Sequence, residues 1–206
     1  FTERPRQASK VIDALLSSPQ WGNKIAKDAR GAKVGAVGHS AGGYTVLALG
    51  GAVADMNQLH AHCKQATDDL TFCTTGDTQS TSQDAGIPGP NVADTRIRAL
   101  AALAPVGAVF SDISLKAMRI PSLVMVSEKD TWLPTRHHGE PLKRNMAGVD
   151  YRIVPNATHF AFMNTPNVPI ATKDGDIGKD LPGFNRAAFQ GRLGSDLITF
   201  FDAQLK

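Results

Sequence analysis

The sequence predicts an α/β protein built on a mostly parallel sheet with flanking helices, and three observations predict it. Apolar runs at 34–37, 97–106, 122–126 and 151–154 have the length and composition of buried strands. Helix-compatible stretches around 114–118 and 139–146 separate the later ones, the alternation that parallel strands joined by crossovers require. Helical spacing of apolar residues marks 5–17 and 185–205 near the two ends.

Composition sets the outer bounds. With 206 residues, 42% hydrophobic and 20% charged, the chain suits one domain with one sizeable core, taken as 1–206. Twenty-two basic residues against nineteen acidic ones leave a net charge of +3 without a basic tract, so nucleic acid is not an expected partner. No apolar stretch approaches a membrane span, the run after Ser40 being broken by Gly50, Gly51 and Asp55. Phe1 is followed by no charged-then-apolar leader, so any targeting segment is expected to lie outside this sequence.

Taken in order, the helix over 5–17 places Ala8, Val11, Ile12, Leu15 and Leu16 on one stripe, with Pro5 in its first turn. The strand at 34–37 runs into Gly38-His39-Ser40-Ala41-Gly42, and a small, apolar helix is expected over 44–54. A Gly-x-Ser-x-Gly string between a buried strand and a helix is a nucleophile elbow, a strained turn that lifts the serine hydroxyl clear of the sheet. Glycines at 38 and 42 are expected because side chains there would collide where the helix folds back on the strand.

A polar excursion follows from about Asp55 to Asp94, an insertion or cap at about 55–96, with loop signatures at Thr74-Thr75-Gly76-Asp77 and Gly86-Ile87-Pro88-Gly89-Pro90. Within it, Cys63 and Cys73 stand ten positions apart, which suits a local disulfide and an oxidising compartment, periplasmic or secreted; two free thiols are the alternative. His60, His62 and Cys63 match no usual zinc spacing, and no metal is expected. The final helix, 185–205, carries Phe189, Leu193, Leu197, Phe200, Phe201 and Leu205 at helical spacing.

Catalytic groups in parallel sheets gather beyond the carboxyl ends of the strands. Ser40 follows the first strand, Ser127-Glu128-Lys129-Asp130 the third and Pro155-Asn156-Ala157-Thr158-His159 the last, the chain order Ser, acid, His. A serine needs an imidazole to take its proton, and the imidazole needs a carboxylate to set its tautomer. Ser40, His159 and Asp130 are expected in those roles, with Asp112 or Glu128 as alternative acids. The Ala41 backbone N–H is one expected oxyanion donor. His39, Trp132, Phe160 and Phe110 are expected to bind substrate, the last three because each lies near a strand end, and core packing is an alternative for Phe110. His137 and His138 lack such a placement and are expected at the surface.

These residues resemble the α/β-hydrolase superfamily and, within it, predicted dienelactone hydrolases related to platelet-activating-factor acetylhydrolases. The resemblance lies in Arg4-Pro5 and its helix, in Val37-Gly38-His39-Ser40-Ala41-Gly42-Gly43-Tyr44, in the Cys63 to Cys73 segment with Asp68-Asp69 and Phe72-Cys73, and in Leu181-Pro182-Gly183-Phe184-Asn185-Arg186. It implies an eight-stranded, mostly parallel sheet with the elbow after the fifth strand. The chain is thereby expected to lack the first strands and the second oxyanion donor, and to need a complementary N-terminal segment. Dienelactone hydrolases proper use a cysteine nucleophile, whereas position 40 is serine, so the expectation is a serine esterase acting on a small-molecule ester without cofactor. An amidase or thioesterase with the same three residues, or a non-catalytic binding module of the same fold, are the alternatives. Asp174-Gly175-Asp176 lacks the rest of a calcium-loop pattern and is expected to form a turn.

Overall fold

The computed structural model describes residues 2–75, 89–172 and 175–206. Its elements run α1 (Glu3–Ser17), β1 (Lys27–Asp28), β2 (Gly31–Ala32), β3 (Val34–His39), α2 (Ala41–Leu49), α3 (Met56–Gln65), α4 (Leu70–Thr75) and β4 (Ile97–Leu103). Then come α5 (Asp112–Ala117), β5 (Ser122–Ser127), α6 (Thr135–His138), α7 (Glu140–Asn145), β6 (Asp150–Val154), β7 (Ala171–Thr172), β8 (Gly175–Asp176) and α8 (Arg186–Gln204). The protein is thus α/β, with a four-stranded sheet ordered β3-β4-β5-β6, every pairing parallel, and helices against it. The strand pairs β1-β2 and β7-β8 are short antiparallel ladders. Asp174, the first residue of the expected 174–176 turn, lies outside the described residues, as do Lys173 and 76–88, part of the polar excursion.

Burial along the strands follows from their position. Central β4 and β5 are buried almost throughout, since helices cover both faces, whereas edge strands β3 and β6 alternate or stay half-exposed. Successive side chains point to opposite faces, so each central strand feeds two cores. Leu100, Ala102, Val124 and Val126 pack with Leu47 of α2 and with Phe110, Leu115 and Leu142. Ala99, Ala101, Leu103, Leu123 and Met125 pack against Phe189, Leu193 and Phe200 of α8.

Helix α1 departs in part from its predicted stripe. Ile12 is buried against Leu49 and Ile97, with Ala8 and Leu16 beside it, but Val11 and Leu15 are exposed. The helix is held instead by polar ties: the Ser9 hydroxyl donates to Asp94 (2.8 Å), and Arg96 bridges Asp94 and Asp13. Along this side, an open cavity of about 690 Å³ runs between α1, α2 and the outer edge of β3, lined by Val11, Ile12, Val34, Val37, Thr45 and Leu49.

The Cys63–Cys73 disulfide is present and ties α3 to α4. Among the described residues, no helix is long and apolar enough to cross a membrane.

Candidate active site

The elbow is built by backbone strain and one close approach. Ser40 sits at φ 56°, ψ −118°, positive-φ backbone that a serine adopts only where its surroundings impose it. Its N–H donates to Leu103 O (2.9 Å), extending the β3–β4 ladder by one residue, and its carbonyl accepts from Tyr44 N–H (3.1 Å) as α2 begins. A Cβ at Gly38 would lie 2.2 Å from Gly42 O, so strand and helix could not meet with any larger residue there. The other crowded glycine is Gly43, whose Cβ would fall 2.7 Å from Pro105 Cβ. Gly42 was the expected partner in this crowding, but a Cβ there meets nothing within 4 Å, because it points into the open cavity beside β3. Ala41, exposed, is the first residue of α2, and its N–H is one of the N-terminal donors a helix leaves without an internal acceptor.

The loop after β5 supplies a carboxylate with both oxygens engaged. Asp130 Oδ1 accepts from the N–H groups of Trp132 (3.0 Å) and Leu133 (2.8 Å), and Oδ2 accepts from His159 Nδ1 (2.8 Å). The hydrogen therefore sits on Nδ1, which leaves Nε2 free to accept. Nε2 lies 3.0 Å from Ser40 Oγ. Both Asp130 and His159 are buried, and Ser40 is half-buried.

The two strand-end loops are stitched together. Lys129 N–H donates to Ala157 O (2.9 Å), Glu128 N–H to Val154 O (3.1 Å), and the Ser127 hydroxyl to Thr158 O (2.8 Å). Ser127 is buried and has no special signal in the sequence, because its role is set by a loop about thirty residues away, on the order of a typical crossover unit. The alternative acids are occupied elsewhere: Asp112 accepts from Asn145 Nδ2 (2.8 Å) and exposed Glu128 from Asn156 N–H (2.7 Å).

Of the four residues expected around a substrate, three surround His159. His39 Nε2 contacts the His159 carbonyl, the Trp132 ring lies nearly parallel to the imidazole, and Phe160 meets both rings edge-on. Phe110 is fully buried and stacks on Tyr44 with centroids 4.9 Å apart, inside the core and away from this group.

The expectation of surface histidines at 137 and 138 is corrected for His138, which is 1% exposed. Its Nδ1 accepts from Gly107 and Ala108 N–H (3.1 and 3.3 Å), and its Nε2–H donates to Asp69 Oδ2 (2.9 Å). Asp69 also accepts from His62 Nε2 (2.7 Å). Burial alone would raise the Asp69 carboxyl, but the hydrogen bonds from His138 and His62 outweigh it and hold it below the usual carboxylate range. In the sequence this network shows only as separate signals, the Asp68-Asp69 pair and His62 in a spacing that fits no zinc site.

His62, Asp69 and His138 stand close enough to suggest a metal centre. The chemistry does not fit. His138 spends Nδ1 on two backbone donors, so Nε2 keeps its hydrogen and has no lone pair for an ion. Cys63, in the disulfide, offers no thiolate. The cluster instead pins the α3–α4 segment to the loop behind Ser40, where Val106 N–H also reaches the Ser40 carbonyl (3.3 Å).

No family model matches the chain, and no curated protein matches it. Solved structures that match include a carboxylesterase, CesB (YbfK), from Bacillus subtilis, at 18% identity and a TM-score of 0.32, over 62% of this chain and 53% of that one. The chain spans about half the length of that protein.

Proposed function

We propose that this chain is a serine carboxylic-ester hydrolase that works through an acyl-serine intermediate. One observation carries the proposal: Ser40 Oγ, His159 and Asp130 stand in hydrogen-bonded series at 3.0 and 2.8 Å, with Ser40 raised on a positive-φ turn. Ser40 attacks the ester carbonyl as His159 Nε2 takes its proton, and the Ala41 N–H donates to the oxyanion. His159 returns the proton to the departing alcohol, and water repeats the sequence on the acyl group. Asp130 keeps the imidazole oriented and stabilises the imidazolium.

The sheet edge supports a second part of the proposal, a complementary β-segment pairing with β3. Val37 on this edge strand is 51% exposed and lines the apolar cavity between β3 and α1. Among the described residues no strand pairs with this edge of β3, and an open edge with an apolar flank is a template for strand addition. Such a segment would stand beside Ala41 and is our candidate source of the second oxyanion donor. The disulfide is compatible with an oxidising compartment, and we assign the protein to the periplasm or the exterior on that ground.

Labelling by a fluorophosphonate tests the core of this. Wild-type protein is expected to label and Ser40→Ala to stay unlabelled, with matching hydrolysis of p-nitrophenyl acetate. Labelling that survives Ser40→Ala, or its absence in folded wild type, overturns the proposal.

A further inference from the structure

We propose that a cavity beside His159 is a subsite for a neutral aryl or arylalkyl group on the alcohol side of the ester, an inference that rests on the ester-hydrolase proposal above. The cavity, of about 220 Å³, is lined by Trp132, Thr158, His159 and Phe160 on one side and by Ile177 and Leu181 on the other. A cavity of about 150 Å³ is enough to hold benzene. The space therefore admits one six-membered ring with a short linker, and is smaller than the roughly 300 Å³ at which pockets for larger ligands begin.

The wall is aromatic and held in place. Trp132 lies 15° from parallel to the His159 ring with centroids 6.1 Å apart, and Phe160 meets Trp132 at 77° and 5.1 Å. A flat ring entering here has both a face and an edge to pack against, the two arrangements that aromatic pairs favour. The Trp132 backbone is fixed by Asp130 Oδ1, on the carboxylate whose other oxygen holds His159. One side chain thus positions both the base and the aromatic wall.

The carboxylates of the far wall are already engaged. Asp180, on the far wall, is paired with Arg186 (2.7 Å), and Asp176 accepts from Gly178 and Ile170 N–H. The hydrogen bonds from Gly178 and Ile170 N–H, and after them the charge of exposed Lys179, hold the Asp176 carboxyl below its usual range. Among the described lining residues, neither carboxylate is left without a partner, which favours an uncharged group over a cation.

Geometry selects the alcohol side. His159 must hand its proton to the leaving oxygen, so the leaving group lies against the imidazole. His159 lines the cavity, whereas Ser40 and the Ala41 donor do not.

Acetate esters test this with the acyl group held constant. Benzyl acetate and cyclohexylmethyl acetate differ in aromaticity at similar size. Wild type is expected to favour the benzyl ester in kcat/KM by roughly three- to tenfold, and Trp132→Leu to bring the ratio close to one. A ratio that Trp132→Leu leaves unchanged overturns the subsite. A second measurement needs no turnover. In Ser40→Ala/Trp21→Phe, Trp132 is the one remaining tryptophan of the two in the chain, and benzyl alcohol is expected to change its emission saturably where cyclohexylmethanol does not. Equal responses to both alcohols, or none, overturn the subsite. Saturable benzyl alcohol binding in a protein that fluorophosphonate does not label sinks the hydrolase proposal while upholding the cavity's ligand class. Labelling without aryl selectivity or binding sinks the subsite alone.

Discussion

His39 donates its Nε2 hydrogen to the carbonyl oxygen of His159 across 2.9 Å, so the residue preceding Ser40 holds the backbone of the residue facing Ser40. The two rings lie 4.8 Å apart. Burial, and next the charge on His159, lower the His39 pKa from 6.5 to about 4, so His39 stays neutral near pH 7.

This shift makes stability depend on pH in a stated direction. As pH falls, the unfolded chain protonates His39 first, near 6.5, and the folded protein only near 4. Stability is thus full above 6.5, declines between 6.5 and 4, and loses at most about 3–4 kcal/mol from this group. His138, also lowered by burial, contributes with the same sign. Urea unfolding across this range should show the decline, and His39→Asn should flatten it. An unchanged slope in His39→Asn would remove His39 from the account.

Asp130→Asn should lower kcat on an ester by about 10⁴-fold, since the altered tautomer takes the acceptor away from Ser40. Its circular dichroism should match wild type. Asp112→Asn and Glu128→Gln should stay within a few-fold of wild-type turnover, because their carboxylates serve Asn145 and the Asn156 N–H. A large loss in Asp112→Asn and none in Asp130→Asn would reverse the assignment.

The glycines of the elbow should separate in a stability assay. Gly38→Ala drives Cβ to 2.2 Å from a backbone oxygen and Gly43→Ala to 2.7 Å from Pro105, so each should cost about 1–3 kcal/mol or more. Gly42→Ala meets nothing and removes a helix-disfavouring residue, so it should be neutral or stabilising by up to about 1 kcal/mol. Denaturant midpoints of the three variants give the order directly.

Replacing Cys63 and Cys73 together by alanine should cost about 2–3 kcal/mol, the loop entropy of so short a crosslink. Asp69→Ala leaves the buried His138 Nε2–H without its acceptor and should cost about 3 kcal/mol. Both changes loosen the α3–α4 segment, so the combined loss should fall short of the sum. Strict additivity in unfolding would show that disulfide and network act independently.

Much of this was legible in the chain because strands and helices write local periods. The unbroken apolar runs of β4 and β5 announced burial on both faces, and the placing of residues 40, 130 and 159 just past strand ends announced where they would gather. Val11 and Leu15 were misplaced for a physical reason: a stripe shows which side of a helix could be buried, while its extent depends on the surface it meets.

By itself the sequence determined the α/β class, the succession of strands and helices along the chain and the need for glycine at 38, since each follows from spacing along one short segment. Only the tertiary structure decided that Asp130 and not Asp112 meets His159, that Gly43 and not Gly42 is crowded, that Phe110 belongs to the core, and that His138 is buried on Asp69. Each of those outcomes depends on two segments distant in the chain arriving at one place, and contacts of that kind leave no period in either segment.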